Sequence, residues 1–142
     1  MFSGTHTPKL DDKGRLILPA KFRDELKEGL VITRGQEHAL DVRTTAQFAE
    51  FTEKFTNASQ TDARMRAYGR MLFALASEQV PDKQGRVMIT PELRDYAGLD
   101  RDAVVIGVYD RIEIWEPSSW TRYTAEQEQA FANLQEEIFP GF

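Results

Sequence analysis

The chain carries one short constellation suited to chemistry, and it carries it twice. "DDKGRLILPAKFRDEL" begins at Asp11 and "DKQGRVMITPELRDYA" begins at Asp82. At an offset of 71 positions Asp11, Gly14, Arg15, Arg23 and Asp24 fall on Asp82, Gly85, Arg86, Arg94 and Asp95. Leu16, Ile17, Leu18 and Phe22 fall on Val87, Met88, Ile89 and Leu93. In each Asp-x-x-Gly-Arg tract the aspartate favours a turn start, and the glycine supplies a backbone conformation other residues resist. The arginine then emerges at the mouth of a strand. Asp and Arg four apart across a turn can pair, which holds the guanidinium fork in one orientation. An arginine held this way suits bidentate contact to guanine or to phosphate. The plain alternative is an ion pair that only locks the turn. Lys9, Lys13, Lys83, Thr5 and Thr7 lie close by in sequence, and they add weight to a nucleic-acid surface.

Other chemistries find little support. There is no cysteine, which removes disulfides, thiolate zinc sites and thiol nucleophiles. The sequence has no phosphate-binding Gly-x-x-x-x-Gly-Lys loop, no Gly-x-Ser-x-Gly elbow and no His-Glu-x-x-His. His6 and His38 stand alone, without metal-ligand spacing, and read as surface or turn histidines. No catalytic residue, metal site or cofactor is expected. The 23 acids could include a carboxylate pair, but their spacing singles none out.

Elements that position the tracts can be read around them. "RLILP" is a strand-like run, Pro19 suits a first helical turn, and Phe22 and Leu26 share a helix face that Gly29 can close. "LVIT" and "ALDV" read as strands joined by "RGQEH". Phe48, Phe51 and Phe55 form a helical stripe, with Thr44 and Gln47 as its capping box. The second tract repeats this order. "RVMI" is a strand, and Thr90, Pro91 and Gly98 cap, open and close a short helix. "VVIGV" and "RIEIW" are strands around "YD". A long helix follows, with Trp120, Tyr123, Phe131, Leu134 and Ile138 near one stripe; Trp115 and Trp120 are expected in the core. "TDARMRAYGRMLFALAS" joins the copies as a helix with Met65, Tyr68, Leu72 and Leu75 inward and Arg64, Arg66 and Arg70 largely off that stripe. The chain is thus two β–helix–β–β–helix units, each too small to stand comfortably alone. The predicted divisions are 1–60, a connecting helix over 61–77, and 78–142.

The 142 residues are 41% hydrophobic, enough for a core. The N-terminus lacks signal-peptide organisation, and the longest strongly apolar run, "AVVIGV", is too short to span a bilayer. A soluble cytoplasmic protein is expected, for which the sequon Asn57-Ala58-Ser59 is idle. Net charge is −5, which by itself disfavours nucleic acid. From Glu116 onward, however, five acids face one base, so the rest of the chain is nearly neutral. "EQEQAFANLQEE" reads as a solvated helix face, and "IFPGF" as a frayed tail or a subunit contact.

The doubled Asp-x-x-Gly-Arg, the opening "GTHTPKLDDKGRLILPAKFRDEL" and the later "ASEQVPDKQGRVMITPELRDYAGL" resemble the MraZ family over essentially the whole chain. That family comprises transcriptional regulators encoded at the head of the bacterial division and cell-wall gene cluster. The resemblance implies an α+β, pseudo-two-fold, SpoVT/AbrB-like swapped-hairpin β barrel with flanking helices. It implies ring-shaped homo-oligomers at the nucleoid, bound to double-stranded DNA at repeated short G-rich boxes in a promoter. The DNA-binding residues would be Arg15, Arg86, Lys13, Lys83, Lys9 and Thr5. Asp11, Gly14, Asp82 and Gly85 would orient the motif. The loop interiors differ, Asp12-Lys13 against Lys83-Gln84, which leaves open which loop reads bases and which holds phosphate. An antitoxin-type protein-interaction module, a hydrolase with a scattered acid pair and a structural scaffold are the alternatives.

Overall fold

A computed structural model of the chain describes residues 1–58 and 60–141. Ser59 of the sequon and Phe142 of the C-terminal tail lie outside the described residues. The first half runs β1 (Phe2–His6), β2 (Arg15–Ile17), α1 (Ala20–Leu26), β3 (Leu30–Arg34), β4 (Leu40–Thr44) and α2 (Thr45–Thr56). Helix α3 (Ala63–Ala74) follows. The second half runs β5 (Ser77–Gln79), β6 (Arg86–Met88), α4 (Pro91–Ala97), β7 (Val104–Tyr109), β8 (Ile112–Trp115) and α5 (Pro117–Ile138).

Local chemistry sets most boundaries. Thr44 and Gln47 form the expected reciprocal cap on α2. Thr90 caps α4, Pro91 opens it, and Gly98 closes it in the left-handed conformation. Pro19 departs from expectation: it is the N-cap of α1 rather than a residue of its first turn. Strands β1 and β5 are not legible in the sequence. Only Phe2 of β1 is buried, and both strands exist through pairing with β7 and β3, far away along the chain.

The halves interleave. The main sheet has the antiparallel order β1-β7-β8-β4-β3-β5, and β2 pairs with β6 as a separate two-stranded ribbon. The order is a palindrome in which β1, β7 and β8 correspond to β5, β3 and β4. A pseudo-two-fold axis therefore passes between β4 and β8, where Asp41 lies opposite Glu113 and Leu40 and Val42 face Ile114 and Ile112. The ribbon obeys the same symmetry, with Leu16 opposite Val87 at its centre. The hydrogen-bonded ladder is an open sheet plus a ribbon, not the closed barrel that the resemblance implies.

Alternation along the strands sorts the sheet into two faces. Ile32, Leu40, Val42, Val105, Ile112 and Ile114 point to one side. There they pack with Leu16, Leu18, Val87 and Ile89 of the ribbon region and with Phe22, Leu26 and Leu93 of α1 and α4. The other side carries Val104 and Trp115, covered by Trp120 and Tyr123 of α5, while Arg43 lies 3.9 Å from the ring centroid of Phe51 in α2. Trp115 is thus core as expected, and Trp120 is half-buried at its edge. The rest of the expected α5 stripe leaves the body, with Phe131 74% and Ile138 56% exposed. Phe55 packs on α3 at Gly69, where any side chain would collide with its ring. Among the described residues no helix is long and apolar enough to cross a membrane.

The α2/α5 face also holds a compact ion cluster. Asp41 and Glu113 are like charges directly opposite each other, which is destabilising unless offset. Arg111 reaches both, at 3.5 Å to Asp41 and 2.9 Å to Glu113, and Arg43 adds a contact to Asp41 at 3.5 Å. Burial raises the Asp41 carboxyl above its ordinary value, against the pull of Arg43 and Arg111. An acid raised in the folded state favours folding when protonated, so its contribution fades as pH rises through and above the ordinary aspartate range. Arg111→Ala should therefore destabilise the fold by about 1–3 kcal/mol at pH 7 and by less in mildly acid solution, as Asp41 takes up a proton. Urea denaturation at the two pH values reads this out directly.

Candidate nucleic-acid interface

Each tract folds into a tight turn held by its own aspartate. The Gly14 amide donates to the Asp11 carbonyl at 3.0 Å, and the Gly85 amide to the Asp82 carbonyl at 2.9 Å. Both glycines sit at positive φ, 79° and 77°, where an L side chain is strained. Asp11 Oδ1 accepts from the amides of Lys13 and Arg15, and Asp82 Oδ1 from those of Gln84 and Arg86. The second carboxylate oxygen accepts from the arginine Nε, at 2.7 Å in both turns. The backbone amide of Arg15 above all, and that of Arg86 in the second turn, holds each carboxyl below the ordinary aspartate value. Because Nε is the clamped nitrogen, the two terminal nitrogens of each fork have no protein partner among the described residues.

The ribbon sets the two turns at its opposite ends and brings their arginines onto one face. Arg15 is opposite Met88 and Arg86 is opposite Ile17. These four side chains share the outer face, while Leu16 and Val87 point into the core. Arg15 and Arg86 are diagonal neighbours, with backbones about 7–8 Å apart. Their side chains remain 30% and 27% exposed.

The remaining sequence candidates divide. Lys13 and Lys83 are exposed on the turns without ion-pair partners among the described residues. Lys9 is close by, but its ammonium is engaged by Asp102 at 2.8 Å. Thr7 lines a shallow cleft with Lys9, Ile17 and Arg23. Thr5 is not gathered there: it lies in β1 opposite Ile106, whose side chain packs toward Trp120 and Tyr123 of α5. His6 packs edge-on against Phe22, and His38 stacks on Tyr96.

Sequence reasoning gave no role to three arginines at this surface. Arg101 approaches Asp12 at 3.3 Å and neutralises it, so the first turn keeps Lys13 as its unpaired charge. Arg23 lies against the second turn and Arg94 against the first. The signal for the last two was present, because the 71-residue offset that matches the motifs also matches Arg23 with Arg94.

Fold and turns together define a class: a duplicated α+β protein in which each half contributes one aspartate-clamped arginine turn to a ribbon that neither half could build alone. The family model for the MraZ protein, described as antitoxin-like, matches this chain twice, over residues 1–71 and 72–140. Proteins named transcriptional regulator MraZ are similar over 99% of both chains, at 55% identity in Salinispora tropica and Leifsonia xyli and 54% in Thermobifida fusca. The chain belongs to the MraZ family.

The turn glycines provide a test of the geometry. A Cβ on Gly14 would lie 2.8 Å from the guanidinium carbon of Arg94, and one on Gly85 would lie 2.7 Å from Arg23 Nε. Gly98 also has positive φ, but nothing stands within 4 Å of its Cβ position. Gly98→Ala should cost about 1 kcal/mol from backbone strain alone. Gly14→Ala and Gly85→Ala should each cost about 2–3 kcal/mol, since an arginine must also move. Equal losses for all three in denaturant titrations would contradict the close packing.

Proposed function

We propose that the chain is a sequence-specific DNA-binding transcriptional regulator and that the β2–β6 ribbon with its two turns is the surface that meets DNA. The relatives' name, transcriptional regulator MraZ, supports the first part. The observation that carries the second is the pair of aspartate-clamped forks, Arg15 and Arg86, on one exposed ribbon face. Clamping at Nε leaves the terminal nitrogens for guanine O6 and N7 or for phosphate oxygens. Lys13 and Lys83 add unpaired charge beside the forks, Lys9 adds a partly neutralised one, and Thr5 stands further off. Asp11, Gly14, Asp82 and Gly85 act by shaping the turns.

The acidic segment is compatible with this reading. α5 roots on the sheet face opposite the ribbon, so its carboxylates begin on the far side of the core. A modest basic surface gains strength when several copies present it together, because linked weak sites add avidity. Assembly into a ring-shaped homo-oligomer at the nucleoid fits the exposed apolar residues Met71, Phe73, Phe131 and Ile138. The units would be 1–60 and 78–142, joined by a helix over 61–77. The ribbon laid across the open sheet would correspond to the exchanged hairpins of an AbrB-like barrel. Head-to-tail neighbours present their turns in one sense, so the operator should consist of direct repeats upstream of the division and cell-wall genes. Boxes should recur about every 10 to 10.5 base pairs, which keeps them on one face of the duplex.

Arg15→Ala and Arg86→Ala should each weaken operator binding without unfolding the protein. A lost base contact costs about 1–3 kcal/mol and relaxes specificity. A lost phosphate contact weakens all sequences alike and lowers the salt slope by about one unit. Wild-type affinity in the double variant, at matched salt, would refute the assignment and favour the antitoxin-type protein-interaction module. Inverting one of two boxes, or shifting it by half a turn, should reduce affinity; indifference to both changes would refute the direct-repeat geometry.

A further inference from the structure

The pseudo-two-fold axis relates two clefts, each formed where a hairpin of one half meets a helix of the other. One lies between the β7–β8 hairpin and α2, with Asp110, Glu50 and Lys54 on its walls. Its counterpart, of about 550 Å³, lies between the β3–β4 hairpin and α5, with α4 as a third wall. At an offset of 72, Glu50 and Lys54 fall on Arg122 and Glu126, and Asp110 falls on His38, so the charges differ. The walls differ too. Trp115 stands where the first half has Arg43, and Tyr96 where it has Glu25. One half folds without rings at these places, so the shared fold does not itself call for them in the other.

The second cleft is preformed. The Tyr96 hydroxyl donates to the Gly35 carbonyl at 2.6 Å. His38 stacks on the Tyr96 ring, with its Nδ1 3.0 Å from the Tyr96 carbonyl oxygen. On the α5 side Tyr123 packs on Trp115, ring centroids 5.0 Å apart. Glu37 and His38 both line the cleft at positive φ, 52° and 61°, a strained conformation for residues other than glycine.

Three carboxylates reach this cleft from three elements: Glu37 of the hairpin, Asp95 of α4 and Glu126 of α5. All three residues are exposed, and none has an ion-pair partner among the described residues. Arg122 is the opposing cation in the lining, hydrogen-bonded to Ser119 at 3.3 Å, so three acids against one arginine leave the cleft net negative. Aromatic walls of this extent with a few polar groups are the makeup of a small-molecule site. An anion would meet the carboxylates, and a compact hydrated metal ion would gain nothing from the rings. Carboxylates on separate elements suit separate ammonium groups, and the rings beside them suit the methylenes that join those groups.

We propose that this cleft binds a linear aliphatic polyamine, with its ammonium groups on Glu37, Asp95 and Glu126 and its methylene chain along Tyr96 and Tyr123. The site shares no residue with the β2–β6 ribbon, and the inference stands independently of the DNA-binding reading.

Isothermal titration calorimetry of the full-length protein, free of DNA, with spermidine tests it. One spermidine should bind per chain. Glu37→Gln, Asp95→Asn and Glu126→Gln are conservative changes at exposed positions, and each should weaken binding about two- to fivefold. Glu128→Gln removes the same charge from α5 outside the cleft, and Glu50→Gln removes it from the pseudo-equivalent cleft; both should bind as wild type. Diaminohexane should bind more tightly than diaminopropane, because the longer chain buries more apolar surface. Magnesium chloride at matched ionic strength should not displace spermidine. Absence of binding at millimolar spermidine would overturn the proposal. Equal losses in Glu126→Gln and Glu128→Gln would overturn it as well, by showing diffuse attraction to an acidic chain. A lysine-bearing peptide that binds where spermidine does not would overturn it in favour of a protein occupant.

Discussion

The Leu18 amide donates to the Gly85 carbonyl, and the Ile89 amide donates to the Gly14 carbonyl. Through these two bonds each turn is fastened to the strand of the other half. Everything displayed at the ribbon depends on this exchange. The bonds lie at the two ends of a three-residue pairing, β2 with β6, whose central pair Leu16 and Val87 is sealed under the sheet. A two-stranded ribbon this short is not stable by itself in water. It persists because its inner side chains complete the core between the sheet, α1 and α4. A single half would have a sheet too narrow to cover its own apolar face and a turn with no partner strand. Duplication solves the packing problem, and the same step sets one arginine turn at each end of a shared ribbon.

An acidic chain can still expose a cationic face if its charges are sorted by layer. At the ribbon the aspartates use their oxygens on backbone amides and on arginine Nε, so they shape the turns while the outer ends of the guanidiniums stay open. Arg43 and Arg111 serve another purpose behind the sheet, where they offset Asp41 and Glu113 at the pseudo-two-fold axis. The carboxylates of the last helix begin beyond that layer. At Glu116 its first acid caps the helix, with Ser118 and Ser119 drawing the carboxyl down to about 2. Net charge therefore says little about what this surface attracts, and the placement of each pair says more.

Much of this was legible in the sequence because the repeat is read twice. One Asp-x-x-Gly-Arg could be any turn; two at a fixed offset, each followed by a Pro-led helix, define equivalent positions and a symmetric fold. Capping residues Thr44, Gln47, Thr90 and Gly98 fixed helix ends through chemistry confined to a few neighbours. The unread parts depend on distant partners. Strand β1, "FSGTH", has neither alternation nor β-branched richness, and becomes a strand by pairing with β7, where Gly107 lets the Phe2–Ser3 backbone come too close for any side chain at that position. The three residues of β5 are similar. Arg23 and Arg94 matched in the repeat, but nothing local said that each would cross to the opposite turn. Phe131 and Ile138 fitted a helical stripe, yet a stripe does not say whether the same chain covers it.

The central claim is that one surface made by both halves meets DNA. Amide hydrogen exchange of the full-length protein, free and saturated with an operator duplex, tests it most directly. The account predicts slowed exchange in two separate segments at once, residues 9–19 and 82–90, with the outer part of α5 unchanged by DNA. Protection of one segment alone, or protection of α5 with both turns unaffected, would contradict it.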